Sequence, residues 1–270
     1  MRPLALGIRL LAIVSLMTVA AAYGGELPPR TLLAVFAHPD DETVVMPLLS
    51  RYARQGVRVY LAFATDGSKG TASHAAVPAG SQLARVRAEE SRCAAAQLGI
   101  EPPIFIGLED GGLTRPAAAS ALHAAIERLL DELHPNAVVT WGPGGGSGHT
   151  DHRMVSNVVT EVIQNAAPQQ TDALFFVGFP RDAVESLPQF SSETARWQRR
   201  NLHAAQRRHL PVRISYDPVD RQATQNALNC YRSQFSPRVA EELLEMMEWI
   251  WRGTVHLRSW NGCARTDELL

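Results

Sequence analysis

Six residues in two short stretches carry the donors and acids that hydrolytic chemistry needs. "AHPDDE" (37–42) supplies His38, Asp40 and Asp41 behind an apolar run, and "GHTDH" (148–152) supplies His149, Asp151 and His152 behind a run of glycines. His38 and Asp41 lie three positions apart, as do His149 and His152, and in a first helical turn that spacing points both members of a pair to one side. Zn2+ accepts imidazole and carboxylate together, and catalytic sites use three protein ligands with a further position left for water. His38, Asp41 and His152 supply that set, leaving Asp40 and His149 beside the ion. A carboxylate so placed can take the proton of an attacking water, the role expected of Asp40. His149, cationic and oriented by Asp151, is expected to hydrogen-bond the oxyanion of a tetrahedral intermediate. Fe2+ or Co2+ would accept the same ligands.

Each stretch alone has a plainer explanation. Acidic residues favour a helix start, which would account for HPDDE. Thr150 could simply cap the helix that follows. The elements that hold the two stretches decide between these views. From Thr31 onward, buried-strand patterns such as "TLLAVFA", "VRVYLAFAT", "PIFIGL", "NAVVTW" and "DALFFVGF" alternate with helical ones such as "ETVVMPLLSRYARQG", "SQLARVRAEESRCAAAQLG", "PAAASALHAAIERLLDELH" and "TDHRMVSNVVTEVIQNA". This succession predicts an α/β, Rossmann-like, doubly wound and mostly parallel sheet with helices on both faces. Ligands of such sheets bind beyond the carboxyl ends of the strands, where the strand order reverses. In the usual order strand four lies beside strand one, so HPDDE and HTDH converge at one rim. Gly142 to Gly148, lacking side chains, are expected to let backbone approach a ligand closely. No phosphate-loop or dinucleotide fingerprint follows the first strand.

The chain has 270 residues, 46% of them hydrophobic, and a net charge of −1. That balance gives no general attraction to nucleic acid or anionic membranes, so a partner must be caught by a local site. Arg2 and Arg9, the run "LLAIVSLMTVA" and the small residues Ala20 to Ala22 form a secretory leader. Residues 1–22 are therefore expected to be removed, leaving 23–270 as one domain that is secreted or periplasmic and has no stable membrane anchor. Three cysteines, Cys93, Cys230 and Cys263, allow one bridge and are too few for a disulfide scaffold. Cys93 lies within a helical pattern, where a small buried hydrophobe is expected. The segment 181–213 reads as a surface excursion, and its Arg199, Arg200, Arg207 and Arg208 as a solvated face. The remaining histidines read as surface or satisfied core residues.

These motifs resemble the PIG-L/LmbE-like de-N-acetylases. The likeness extends from "AHPDDE" and "GHTDH" to "TDGSKG" (65–70), "RAEESRCAAAQLGI", "LEDGGL" and "ALNCYRSQ", across most of residues 31–235. Ser68, Lys69, Thr150 and Tyr231 depart from the residues common in that family. The resemblance implies zinc on His38, Asp41 and His152, Asp40 as base, His149 as electrostatic partner, and Arg87 and Asp110 as contacts to sugar hydroxyls. It implies a hydrolase that removes an acetyl group from an N-acetylated amino sugar or a related amide, and the leader pattern adds the expectation that this hydrolase is exported. Two rivals stand beside it: an amidase on a larger conjugate, and a protein of the same fold that binds a glycan without turnover.

Overall fold

A computed structural model of the chain describes residues 29–166, 173–262 and 266–270. The expected leader and Cys263 lie outside the described residues.

The first strand, β1 (Thr31–Phe36), is apolar on both faces and buried throughout, as a central parallel strand must be. It lies between β2 (Arg58–Thr65) and β4 (Ala137–Thr140), parallel to both. β3 (Ile104–Leu108) flanks β2, and β5 (Leu174–Val177) flanks β4, again in parallel. Leu32, Ala34 and Phe36 enter one core, while Leu33, Val35 and Ala37 enter the other. The first core is closed by α1 (Met46–Arg54) through Leu48, Leu49 and Tyr52, and by Ala94 and Leu98 of α2 (Ser81–Leu98). The second is closed by Leu122, Ile126 and Leu130 of α3 (Pro116–Leu133), and by Val155, Val159 and Val162 of α4 (Thr150–Asn165). Helices thus cover both faces, and the doubly wound α/β sheet expected from the alternation is what forms.

The order reverses at β1, so the carboxyl ends of β1 and β4 adjoin, with Val35 opposite Thr140. Beyond β1 the chain departs from one expectation. The helix read as starting at Glu42 is broken into a tight 3-10 turn, Asp41–Val44, and the separate α1. The reason is local. Asp40 sits at φ 103, the left-handed region, and the Asp41 carboxylate turns back to accept the backbone N–H groups of Ala37 and His38, both at 3.0 Å. Side-chain bonding fixes this turn, and α1 begins afresh with Pro47 in its first turn.

After β5 the chain forms the excursion, which holds α5 (Glu193–Asn201), then β6 (Val212–Ser215), α6 (Pro218–Leu228), α7 (Pro237–Trp251) and β7 (Thr254–Ser259). β7 slots between β5 and β6, antiparallel to both. In the excursion Arg207 pairs with Asp182 at 2.8 Å, and Arg199 donates to the carbonyl of Leu187. Cys93 is not the buried hydrophobe expected of it. It lies exposed on α2 and is bonded to Cys230, just past α6, with their Cα atoms 5.8 Å apart. Among the described residues no helix is long and apolar enough to cross a membrane.

Candidate metal centre and active site

The two stretches meet at the rim. His38 follows β1, His152 lies in the first turn of α4, and His38 Nδ1 stands 3.1 Å from His152 Nε2. Asp41 Oδ1 stands 3.1 Å from His152 Nε2, and Asp41 Oδ2 is 3.7 Å from His38 Nδ1. Tetrahedral zinc with ligands near 2.1 Å spaces its donors by about 3.4 Å, so the chemistry and separation of this set fit a small divalent cation. The far side of each donor is held. Asp41 Oδ2 also accepts the indole N–H of Trp141 at 3.1 Å, leaving Oδ1 to face His152. His152 Nδ1 meets the Gly145 carbonyl at 3.0 Å. His38 Nε2 faces Asp110 Oδ1 at 3.3 Å and Asp151 Oδ2 at 3.4 Å. Carboxylates and carbonyls behind ligating imidazoles fix tautomer and ring orientation. The ring of His149 also reaches the cluster, with its ligand atom within 4.8 Å of those of His38 and His152. His38, Asp110 and Asp151 likewise bring one ligand atom each within 4.8 Å of one another, while Asp41 reaches His152 through Oδ1 and His38 through an Oδ2 that three N–H groups anchor.

Asp40 is beside this set and outside it. Arg87, buried in α2, donates to Asp40 Oδ2 at 2.8 Å, to the Gly67 carbonyl at 2.9 Å and to the Pro39 carbonyl. The Asp40 backbone N–H is taken by Glu42 Oε2 at 3.1 Å. Burial pushes the Asp40 carboxyl up to about 6, against the pull of Arg87. Burial would also raise Asp41, but His152 and His38 hold it well below the ordinary carboxylate range. Glu42, wholly buried, is pushed up to about 8 by burial, although it accepts a hydrogen bond from the Tyr231 hydroxyl. Asp110 is held at about 2: burial opposes this, and the hydrogen bond with His38 outweighs it.

Residues 33–163, which contain both motif stretches, Arg87 and Asp110, match the PIG-L family, described as GlcNAc-PI de-N-acetylase. Over that span the chain is similar to the PIG-L family. A 1D-myo-inositol 2-acetamido-2-deoxy-alpha-D-glucopyranoside deacetylase of Mycobacteroides abscessus is 32% identical over 177 residues, 58% of this chain and 63% of the relative's own length. Among solved structures, the N,N'-diacetylchitobiose deacetylase of Pyrococcus horikoshii shares the fold at 15% identity and a TM-score of 0.61, covering 98% of this chain and 99% of the other. The 4-carboxy-2-hydroxymuconate hydratase of Pseudomonas putida KT2440 does so at 16% identity and 0.57, covering 89% and 99%. A deacetylase and a hydratase on one fold mean that chemistry must be argued from the site.

Within this cluster, four sequence expectations meet a different local geometry. Asp151 does not hold His149 through its carboxylate. Its Oδ2 accepts the Gly111 N–H at 2.7 Å and faces His38, its Oδ1 accepts the Leu113 N–H at 3.2 Å, and only its backbone N–H reaches His149 Nδ1, at 3.2 Å. Burial first, then His38 and His152, lower the His149 pKa, which works against the cation expected there. With Nδ1 accepting the Asp151 N–H, the ring's proton is carried on Nε2. Arg87 and Asp110, expected against sugar hydroxyls, face Asp40 and His38 within the protein, and Asp110 Oδ2 also accepts the Lys69 N–H at 2.8 Å. The glycine run approaches side chains. A Cβ on Gly146, at φ 67, would lie 2.5 Å from the Trp141 ring, which stacks on His152 at 4.7 Å.

The motifs assign no role to Trp141, Glu42 or Tyr231, although each is buried at or beside the cluster. Trp141 and Glu42 adjoin the motifs directly, and an indole or carboxyl at a strand exit needs a polar partner once buried.

Proposed function

We propose that the chain is an exported, zinc-dependent hydrolase that removes the N-acetyl group of an N-acetylated amino sugar or glycoconjugate. One observation carries this reading: a carboxylate, Asp40, is fixed by a buried guanidinium next to a three-donor cluster in which it takes no part. Capture of a glycan alone needs no such group. A divalent cation held by His38, Asp41 and His152 supplies Lewis acidity towards water and an amide carbonyl. The protein's own residues do the rest. Asp40 Oδ1, the oxygen not engaged by Arg87, receives the proton of the attacking water and returns it to the departing amine. His149 Nε2–H donates to the oxyanion while its Nδ1 is held by the Asp151 backbone N–H. Asp110 and Asp151 keep the His38 ring aimed.

The substrates of the relatives named above support an acetamido sugar. Export is supported by the leader pattern in residues 1–22 and by the Cys93–Cys230 bond, since disulfides persist in oxidising compartments. To test the reading, the purified chain is assayed for bound metal and for acetate release from N-acetylglucosamine derivatives. Asp40→Asn is expected to keep the metal and lose at least about 10²-fold in rate. An Asp40→Asn protein as active as the parent removes the mechanism. Mass spectrometry of the product secreted by a host tests the leader, with residue 23 expected at its start.

A further inference from the structure

We propose that the acyl group this site removes best is a hydrocarbon chain longer than acetyl. The inference rests on the deacylase reading above and names its substrate more closely. A cavity of about 130 Å3 opens directly off the reacting centre, with Asp40, Asp41 and His152 in its wall. Its remaining lining is mostly apolar and comes from the elements after the excursion as well as from α1: Met46, Leu228, Leu244, Met247 and Trp251. Those five side chains are each less than a tenth exposed, so the space is walled by core residues. Dry apolar cavities of comparable size hold a six-carbon ring, far more than a methyl group fills. Thioethers at two of the five positions add adaptable walls suited to a chain of variable shape.

The cavity wall also holds Thr43, Ser147, Gln198 and Thr224, but a second, charged flank lies outside it: Asp110 faces His38 Nε2 and accepts the Lys69 N–H, Lys69 pairs with Glu109, and the His149 ring packs on that of His38. An amide has two substituents, and this centre offers two unlike environments. A hydroxylated amine half suits the polar flank, and the acyl half then points past Asp41 and His152 into the apolar space. Acetyl would leave most of that space vacant. The step is hydrolysis of the C–N bond: water adds its oxygen to the acyl carbon, the amine leaves with a proton, and a carboxylic acid is released.

The test compares N-acetyl-, N-butyryl-, N-hexanoyl- and N-octanoyl-glucosamine as substrates of the metal-loaded chain. Binding of acetate and octanoate to the metal-free protein is followed in parallel by tryptophan fluorescence, because Trp141 and Trp251 line the cavity. The expected result is a rise in kcat/KM of about fourfold per added methylene until the cavity is full, with octanoate perturbing the fluorescence at concentrations where acetate does not. Met247→Trp, or the milder Leu244→Phe if the first does not fold, is expected to lower the octanoyl-to-acetyl ratio at least tenfold. Turnover of the acetyl substrate with no gain from longer chains overturns the inference and leaves the deacetylase reading standing. So does a ratio unchanged in both variants. Release of no acid from any member, with metal bound, overturns the deacetylase reading, and this inference with it.

Discussion

The guanidinium of Arg87 binds the carboxylate of Asp40 at 2.8 Å while its other contacts hold the carbonyls of Gly67 and Pro39. One side chain on α2 therefore ties the proposed base to the loop after β2 and to the turn after β1. A Cβ on Gly67, at φ 63, would lie 2.5 Å from that guanidinium, so the loop is shaped around it. Lysine is a point charge on a flexible stem and cannot serve three acceptors in this fork geometry. Arg87→Lys is expected to keep metal content and fold while lowering kcat by about 10²-fold through a displaced Asp40. Metal analysis alongside steady-state kinetics checks this, and an unchanged kcat would show that Asp40 needs no such holder.

Asp151 is expected to act on metal affinity. Its Oδ2 stands 3.4 Å from His38 Nε2 and is itself fixed by the Gly111 N–H. Asp151→Asn replaces one acceptor with a donor and is expected to weaken metal binding by about 10–100-fold. Competition with a chelator measures the change directly.

The Cys93–Cys230 bond closes a loop of 137 residues between α2 and the turn after α6. Removing it through Cys93→Ala with Cys230→Ala should lower unfolding stability by about 2–4 kcal/mol. Urea denaturation checks this. Reductant should reproduce the loss in the parent chain and leave the double variant unmoved.

Tyr231 donates its hydroxyl proton to Glu42, which has no exposure to solvent. Tyr231→Phe leaves that oxygen unsatisfied, at an expected cost of about 1–3 kcal/mol. Chemical denaturation reads it, and a loss under 0.5 kcal/mol, roughly the measurement error, would mean that another donor has replaced the hydroxyl.

His256 on β7 sets an acid-side limit of its own. Burial first, then Arg207 and Arg213, lower it to about 4, and the neutral ring takes a hydrogen bond from Arg207 at 3.0 Å. Unfolded histidine titrates near 6.5, so between about pH 6.5 and 4 the unfolded chain binds the extra proton. The stability this residue contributes is fully present above that range and is lost as pH falls through 4. Its size is on the order of 2 kcal/mol. Denaturation curves at pH 7 and 4.5 should draw closer together in His256→Asn than in the parent.

Much of the fold was legible because its signals are local and repeated. Apolar runs of strand length alternate with helical patterns, and parallel strands buried on both faces need no other cue. The meeting of His38 with His152 followed from topology once β4 was set beside β1. Roles that depend on where a side chain turns were not legible. Asp151 lies one residue from His152 in sequence, yet its carboxylate is drawn to the N–H groups of Gly111 and Leu113, which come from the loop after β3. The pairing of Cys93 with Cys230 required knowing that α2 runs beside the end of α6. The broken first turn at Asp41–Val44 arises from hydrogen bonds of Asp41 that no periodicity encodes.

The insertion of β7 between β5 and β6 bears on how the protein is made. A ribosome releases β5 some eighty residues before its antiparallel partner, and until Thr254–Ser259 emerges both β5 and β6 present bare edges. Nascent or truncated chains ending before Thr254 are therefore the species most prone to cross-strand association, and a holding chaperone would serve this protein most during that interval of synthesis.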